Sequence, residues 1–140
     1  MSVYLDTSVV VPFFLTDLFV TRARAFLSRL PPRLYLSDFV SAEFASVLGN
    51  RIRMKTLSPD QARVALSHFD AWIARATARV ETVSADVRAA DAYLRRFDLT
   101  LRTPDAINIA IAQRIGAELA TFDEKMADCA RALRVPVTDI

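Results

Sequence analysis

Short apolar runs alternate with longer amphipathic segments along the whole chain, and this alternation restricts the fold more than any other feature. The runs cover residues 3–5, 34–36, 80–83, 118–121 and 135–137. Short strands that alternate with helices are typical of parallel βαβ units, in which helices cover the sheet. The sequence therefore predicts an α/β fold with a short parallel sheet of five strands.

Capping residues and prolines predict where the helices begin. Pro12 favours a first helix that starts near that residue, because proline fits the first turn of a helix. Further helices are expected over residues 17–30, 38–54, 59–78, 85–97, 104–115 and 124–133. Ser37, Ser58, Ser84 and Thr103 are the predicted N-caps of the middle four. The helix over 104–115 is apolar nearly all round, so we expect it at the centre of the fold.

The size of the chain predicts one domain over residues 1–140. Of the 140 residues, 53% are hydrophobic, which is enough to bury a core, and no linker or repeat divides them. The longest uncharged run, from Thr7 to Thr16, is too short to span a bilayer. Asp6 interrupts any N-terminal apolar segment, so we expect no signal peptide, no membrane association and a cytoplasmic location.

Composition excludes several classes of site. With 2 glycines, the chain cannot form a phosphate-binding glycine loop. With one histidine, His68, and one cysteine, Cys129, it cannot form a zinc site built from histidine and cysteine, a disulfide framework or a CxxC redox pair. Aspartate and glutamate together number 16, so a site for a hard cation is the chemistry best supplied. The net charge of +2 alone gives little reason to prefer nucleic acid as a partner.

Four acidic residues are predicted to lie at one edge of the sheet. Asp6 follows the first strand, and Asp123 lies just beyond the fourth. Glu43 and Asp105 lie in the first turns of the helices that begin at residues 38 and 104. In open parallel sheets the functional cleft lies beyond the carboxyl ends of the strands. If the first and fourth strands are neighbours, all four carboxylates can reach that cleft.

Crowded carboxylates repel one another unless a cation neutralises them, and Mg²⁺ or Mn²⁺ prefers such oxygen ligands. Asn108, one turn after Asp105, shares its helix face and could hydrogen-bond a carboxylate.

Three of the acids also have a purely structural interpretation. Asp6 and Asp123 can cap helices, and Asp105 can favour the positive end of a helix dipole. Glu43 lies in an apolar stretch, where a charged residue is unusual unless it is paired or binds a ligand.

The motifs around these acids resemble those of PIN-domain ribonucleases. They read YLDTS at 4–8, SAEF at 41–44, TPDAINIA at 103–110 and LATFD at 119–123. Their order and spacing match over essentially the whole chain. The resemblance implies a three-layer α/β/α PIN fold with strand order 3-2-1-4-5, and endoribonuclease activity dependent on Mg²⁺ or Mn²⁺.

By position, the resemblance implies that Asp6, Glu43, Asp105 and Asp123 form the acidic quartet that binds the metal and carries out catalysis. Ser8 matches a hydroxyl residue that often bonds to the site carboxylates. Asn108 stands where relatives often have histidine, which departs from the family pattern.

The small size is similar to that of VapC toxins of type II toxin–antitoxin pairs. This similarity implies a homodimer and a VapB-like antitoxin whose tail can insert a basic side chain into the acidic cleft. RNA is the expected substrate. Arg95, Arg96 and Arg102 flank the approach to Asp105, and we expect them to bind RNA phosphates unless they face solvent or a second subunit.

Other functions are less well supported by the residues. A phosphatase that uses an aspartate after the first strand needs a second aspartate two residues later, where this chain has Ser8. A receiver domain needs a lysine at a late strand end, whereas Lys55 and Lys125 fall in or near helices. A non-catalytic PIN-fold module that binds RNA or protein, and a DNA-directed nuclease of the same fold, stay open as alternatives.

Overall fold

A parallel sheet lies at the centre of the computed structural model, which describes residues 2–29 and 33–140. Those residues form four strands: β1 (Ser2–Leu5), β2 (Arg33–Ser37), β3 (Ala78–Val80) and β4 (Glu118–Ala120). The strand order is β3-β2-β1-β4, and every pairing is parallel. The predicted placement of the first strand beside the fourth is therefore confirmed.

Seven helices connect and follow the strands within the described residues. They are α1 (Thr7–Phe14), α2 (Val20–Ser28), α3 (Asp38–Arg53), α4 (Pro59–Ala76), α5 (Ser84–Leu94), α6 (Thr103–Ile115) and α7 (Glu124–Ala132). None of the helices in the part of the chain that the structure describes combines the length and apolar character that a membrane crossing requires.

The strand order separates the helices into two layers. The chain steps from β1 to β2 to β3 in one direction and then crosses back to place β4 on the other side of β1. Because such parallel crossovers are right-handed, helices of the first two connections lie on one face and those of the last on the other. In agreement, α1 packs against α2, α3 and α4, whereas α5 packs against α6. The result is the predicted α/β/α arrangement.

The core lies on both faces of β1. Val3, Tyr4 and Leu5 are fully buried because neighbouring strands and both helix layers surround this strand. On one face, the Phe44 and Phe69 rings stack with their centroids 4.3 Å apart and join α3 to α4. On the other face, α6 is buried from residue 106 to residue 112, as its apolar sequence predicted.

The first helix begins earlier than predicted. It starts at Thr7, directly after β1, and contains Pro12 in its interior. Asp6 sets this start because it has the extended backbone of an N-cap and its side chain accepts a hydrogen bond from the Ser8 backbone nitrogen. The prediction of a start near Pro12 was therefore wrong, since the cap determines where the helix begins.

The second helix is shorter than predicted. It begins at Val20 rather than at Asp17, because the Asp17 carboxylate accepts a hydrogen bond from the Phe19 backbone nitrogen at 2.9 Å and closes a turn. Its last helical residue is Ser28. The predicted end at Leu30 and the Pro31-Pro32 stop lie outside the described residues.

Two predicted strands differ from those observed. The third strand occupies 78–80 instead of 80–83, because Asp38 binds the backbone nitrogen of Thr82 and draws that segment out of the sheet. The predicted fifth strand is reduced to a single parallel bridge between Leu119 and Val137. Pro136 lacks an N–H group and cannot extend the ladder, although its carbonyl oxygen accepts from Leu119.

Two N-caps lie one residue earlier than predicted. Val83 and Arg102, rather than Ser84 and Thr103, precede α5 and α6. In both helices an aspartate in the first turn accepts a hydrogen bond from the backbone nitrogen of the cap residue. For α6 that aspartate is Asp105, which directly affects the candidate site.

Candidate active site

The candidate site lies where β1 and β4 end side by side. The Asp6 backbone nitrogen donates to the Ala120 carbonyl oxygen at 3.0 Å, so the two strands remain paired up to the edge of the cleft. The sheet extends from β1 through β2 to β3 on one side, whereas β4, the next strand along the chain, pairs with β1 on the other side. Such a reversal of strand order opens a crevice at the carboxyl ends of the strands.

Asp6 is the most buried carboxylate of this crevice, with 7% of its surface exposed. Its Oδ2 atom accepts hydrogen bonds from Ser8 Oγ at 2.6 Å and from Thr121 Oγ1 at 2.9 Å. It also caps α1 through the Ser8 backbone nitrogen at 3.3 Å. The first turn of α1 and the loop after β4 thus each supply a hydroxyl donor to one carboxylate.

The hydroxyl groups of Ser8 and Thr121 also hold the first turn of α1 and the loop after β4 together. Ser8 Oγ accepts a hydrogen bond from the Phe122 backbone nitrogen at 2.9 Å, and Thr121 Oγ1 accepts one from the Asp123 backbone nitrogen at 3.1 Å. Each hydroxyl therefore donates to Asp6 and accepts from the segment after β4. The position of Asp6 is fixed from both sides.

Glu43 approaches the crevice from the second turn of α3. The side chain is half-buried, and its Oε2 atom accepts from Thr7 Oγ1 at 2.7 Å and from Asn108 Nδ2 at 2.9 Å. The donors come from α1 and α6, which belong to opposite helix layers. Asn108 therefore contacts a carboxylate of the candidate set, although Glu43 rather than Asp105 receives its hydrogen bond.

Asp105 and Asp123 make local hydrogen bonds at the N-termini of their helices. Asp105 Oδ2 accepts from the Arg102 backbone nitrogen at 3.2 Å and from Arg102 Nε at 3.4 Å. Asp123 Oδ1 accepts from the Met126 backbone nitrogen at 3.1 Å and caps α7. Both residues thus have the structural contacts that helix capping predicts.

Burial and mutual repulsion act on the charges at the centre of the site. Burial raises the pKa of Asp6 above its usual value, against the opposing effect of the Ser8 and Thr121 hydrogen bonds. Burial also raises the pKa of Glu43, and the charges of Asp6 and Asp105 raise it further. The hydrogen bonds from neighbouring side chains offset only part of this cost.

The donor set has the chemistry that a hard divalent cation requires, because it consists of carboxylates at a crevice and two of them bear a penalty for being charged. The carboxylates are not drawn to one point, however. Within residues 2–29 and 33–140, no three carboxylate, imidazole or thiol groups lie close enough together to hold one ion. The charges of Asp6 and Asp105 reach Glu43, whereas Asp105 also contacts Arg102.

Several residues of the site were not predicted from the sequence. Thr7 and Thr121 hold the two central carboxylates, and Tyr4 and Ser37 lie behind Asn108 in a buried chain of hydrogen bonds. The two threonines are adjacent to the acidic motifs, which is a usable signal. In the sequence, Tyr4 has the position of an ordinary buried strand residue. Only the strand register could have indicated that its hydroxyl reaches Ser37 and Asn108.

The three arginines expected to bind RNA are exposed at the end of α5 and in the loop that follows. Each makes an ion pair with a nearby aspartate: Arg95 with Asp91 at 2.8 Å, Arg96 with Asp98 at 2.8 Å and Arg102 with Asp105 at 3.4 Å. The Arg95 and Arg96 pairs are exposed on both sides and contribute little to stability, so an anionic ligand could displace them, whereas the Asp105 side chain of the third pair is only 15% exposed.

One curated relative shares sequence with part of the chain. Ribonuclease VapC46 of Mycobacterium tuberculosis (strain ATCC 25618 / H37Rv) is 38% identical over 66 residues, which amounts to 45% of this chain and 51% of that protein. The match thus spans about half the length of the relative.

Solved structures share the fold over nearly the whole chain. The sarcin–ricin loop cleaving toxin VapC20 of Mycobacterium tuberculosis superposes with a TM-score of 0.74 at 18% identity, covering 90% of this chain and 93% of that one. FitAcB from Neisseria gonorrhoeae gives 0.72 at 21% identity, covering 98% and 96%. VapBC2 from Rickettsia felis, bound to a promoter DNA fragment, gives 0.72 at 16% identity, covering 100% and 99%.

The sequence also matches a family profile over most of its length. Residues 3–132 match the PIN domain, and this stretch begins in β1 and ends with α7. It contains all four acidic residues that the motifs single out, Asp6, Glu43, Asp105 and Asp123. The chain belongs to the PIN domain family.

Proposed function

We propose that this chain is a metal-dependent endoribonuclease. The observation that carries this proposal is the pair of carboxylates at the strand-order reversal, Asp6 and Glu43, whose pKa values are raised by burial although several hydroxyl and amide groups donate to them. An N-cap alone does not require a carboxylate, since serine or asparagine can cap a helix without bearing a buried charge. Sites that carry out chemistry commonly accept this cost.

The residues that would hold Mg²⁺ or Mn²⁺ are Asp6, Glu43, Asp105 and Asp123. When bound, such an ion polarises a phosphodiester and lowers the pKa of a water molecule. Ser8 and Thr121 fix the Asp6 carboxylate for this purpose, and Thr7 and Asn108 fix that of Glu43. Asp105 would have to weaken its contact with Arg102 to take part.

Release of Arg102 would also provide a cation for the substrate. Its side chain is 80% exposed, so once it leaves Asp105 it can bind a phosphate next to the one being cleaved. Arg95 and Arg96 would bind phosphates farther along the RNA. Single-stranded RNA suits such a surface, because an exposed backbone can bend into the crevice.

The similarity to ribonuclease VapC46 and to VapC and VapBC structures supports a role as the toxin of a toxin–antitoxin pair. We therefore propose a VapB-like antitoxin as partner, a homodimer as the assembled form and a single domain over residues 1–140. A cytoplasmic location follows from that role, because toxin, antitoxin and RNA would have to meet there.

Cleavage assays on RNA and DNA of the same single-stranded sequence test this proposal. We expect RNA to be cut only with Mg²⁺ or Mn²⁺, leaving a 5′-phosphate and a 3′-hydroxyl, because attack of water at phosphorus with departure of the 3′-oxygen gives those ends. Mass spectrometry of the fragments identifies them. Undiminished cleavage in EDTA, or a 2′,3′-cyclic phosphate, would contradict the mechanism. Cleavage of DNA in preference to RNA would favour a DNA-directed nuclease, and binding without cleavage a non-catalytic module.

A further inference from the structure

A continuous chain of buried hydrogen bonds leads from the start of α3 to Glu43. Ser37 Oγ accepts from the Val40 backbone nitrogen at 3.0 Å and lies 2.7 Å from the Tyr4 hydroxyl. The Tyr4 hydroxyl donates to Asn108 Oδ1 at 2.5 Å, and Asn108 Nδ2 donates to Glu43 Oε2 at 2.9 Å.

The hydrogen bonds of this chain have one direction. The Tyr4 hydroxyl has a single proton, which it donates to Asn108, so the proton between Ser37 and Tyr4 belongs to Ser37. Because Asn108 Oδ1 accepts from Tyr4, its amide nitrogen faces Glu43. The opposite amide orientation would place the Asn108 oxygen against the Glu43 carboxylate, with two acceptors in contact.

Burial makes this direction important. Tyr4 and Ser37 are fully buried and Asn108 is 1% exposed, so water cannot replace a missing partner. A buried polar group that loses its partner therefore destabilises the arrangement in which it is left unpaired. Among the described residues, the Tyr4 hydroxyl hydrogen-bonds only to Ser37 and Asn108. Tyr4 therefore has no direct polar contact with the carboxylates of the crevice.

We propose that Tyr4 is a positioning residue of the candidate site: its hydroxyl fixes the orientation of the Asn108 amide, and this amide in turn holds the Glu43 carboxylate toward the crevice. One consequence of the inference, that Glu43 is oriented to hold the ion, rests on the function proposed above. The position of Asn108 and Glu43 itself can be measured without any ion.

Calorimetric titration of Mn²⁺ into the protein, without RNA, tests the consequence. We expect Tyr4→Phe and Asn108→Ala each to weaken Mn²⁺ binding about tenfold, the usual effect of removing a group that supports a metal ligand. Because both changes act through one contact, the double variant should also lose about tenfold rather than about a hundredfold. Losses that multiply, or unchanged affinity in Tyr4→Phe, would overturn the role of Tyr4.

Tyr93→Phe is the matched control. The Tyr93 hydroxyl donates to the amide oxygen of Gln113, so this variant also loses a bond from a tyrosine to a side-chain amide, but between α5 and the second half of α6. Its Mn²⁺ affinity should equal that of the wild type. An equal loss in Tyr93→Phe and Tyr4→Phe would mean that general destabilisation causes the effect and would overturn the inference.

Crystal structures of metal-free wild type and Tyr4→Phe separate this inference from the proposed function. We expect the contact between Asn108 Nδ2 and Glu43 Oε2, 2.9 Å in the wild type, to lengthen beyond hydrogen-bonding distance in the variant. An unchanged contact overturns the inference even if the wild type cleaves RNA. Conversely, a wild type that binds no Mn²⁺ contradicts the proposed function, while the crystal structures still decide the role of Tyr4.

If Tyr4→Phe does not fold, neutron diffraction from wild-type crystals tests the same orientation directly. The inference requires a hydrogen atom on the Tyr4 hydroxyl that points to Asn108 Oδ1, and an amide hydrogen atom that points to Glu43. An Asn108 amide whose hydrogen atoms point to Tyr4 would overturn it.

Discussion

Three consecutive residues perform different tasks at the edge of the crevice. Asp6 caps α1 and supplies the most buried carboxylate, Thr7 donates to Glu43, and Ser8 donates to Asp6. A helix that begins directly after a strand makes this division possible, because its first residues point in different directions around the axis. A single short motif therefore orients two carboxylates from separate elements.

The charge of Asp6 should destabilise the metal-free protein. Because burial raises the pKa of Asp6, the folded protein holds more protons than the unfolded chain, whose aspartates have pKa values of about 3.9. Wild-type stability should therefore fall as the pH rises through the window between these two pKa values. The asparagine side chain of Asp6→Asn does not titrate. In EDTA, the Tm of this variant should therefore lie near that of the wild type at about pH 4 and exceed it at pH 8.

Asp128→Asn provides the control for this measurement. Asp128 lies on α7 with 79% of its side chain exposed, and among the described residues it pairs only with Arg131, so its removal should leave the pH dependence of Tm unchanged. If Asp6→Asn is less stable than the wild type at pH 8 in EDTA, the Asp6 carboxylate is a structural cap rather than a strained functional group.

At the scale of elements, the sequence predicted which strands and helices exist better than where they end. Apolar runs identify an element wherever its side chains are buried, and all seven helices are present over the described residues. Their bounds depend on contacts that local patterns do not contain. The third strand ends early because Asp38, 44 residues away, binds Thr82, and the last strand is limited by one proline.

Three helices are followed, two or three residues after their last helical residue, by a left-handed residue that is not glycine. Lys55, Phe97 and Arg134 have φ values of 59°, 59° and 60°, whereas α6 ends at Gly116 with 66°. Residues with a Cβ atom pay a steric cost in this conformation, and glycine does not. These helix ends are therefore places where the sequence does not suit the local backbone.

We expect Lys55→Gly to stabilise the protein by about 0.5–1 kcal/mol and Gly116→Ala to destabilise it by a similar amount. Lys55 is exposed, and a Cβ atom added at Gly116 meets no atom within 4 Å, so neither change alters packing. Urea denaturation monitored by circular dichroism gives both free energies of unfolding. Equal stability of both variants and the wild type would contradict left-handed strain at Lys55.

At the scale of the whole molecule, strand order is what places the ends of β1 and β4 side by side. Asp6 and Asp123 are far apart in the sequence, and each follows the end of one of these two paired strands. The acidic motifs and the parallel α/β pattern were enough to predict that the first and fourth strands lie side by side. The buried chain behind Glu43 was not predictable, because Tyr4 and Asn108 are separated by 104 residues and meet only through the packing of α6 on β1.

The arginines beyond α5 should control binding of RNA rather than its cleavage. We expect Arg95→Ala, Arg96→Ala and Arg102→Ala each to weaken binding to RNA of any sequence. Each lost phosphate contact should also reduce the slope of log affinity against log salt by about 0.7 for a single strand. Titrations without metal, over a range of salt concentrations, measure this slope. An unchanged slope would mean that the arginine faces solvent or a second subunit.

The most direct test of the central claim is RNA cleavage in Mg²⁺ or Mn²⁺ by variants that remove one carboxylate of the crevice at a time. Asp6→Asn, Glu43→Gln and Asp105→Asn should remain folded and lose activity on the order of 100-fold or more, because each would remove a ligand of the ion that polarises the phosphodiester. Asp128→Asn, which removes an exposed carboxylate outside the crevice, should cleave like the wild type. Retained activity in folded Asp6→Asn and Glu43→Gln proteins would contradict the assignment of this crevice as the active site.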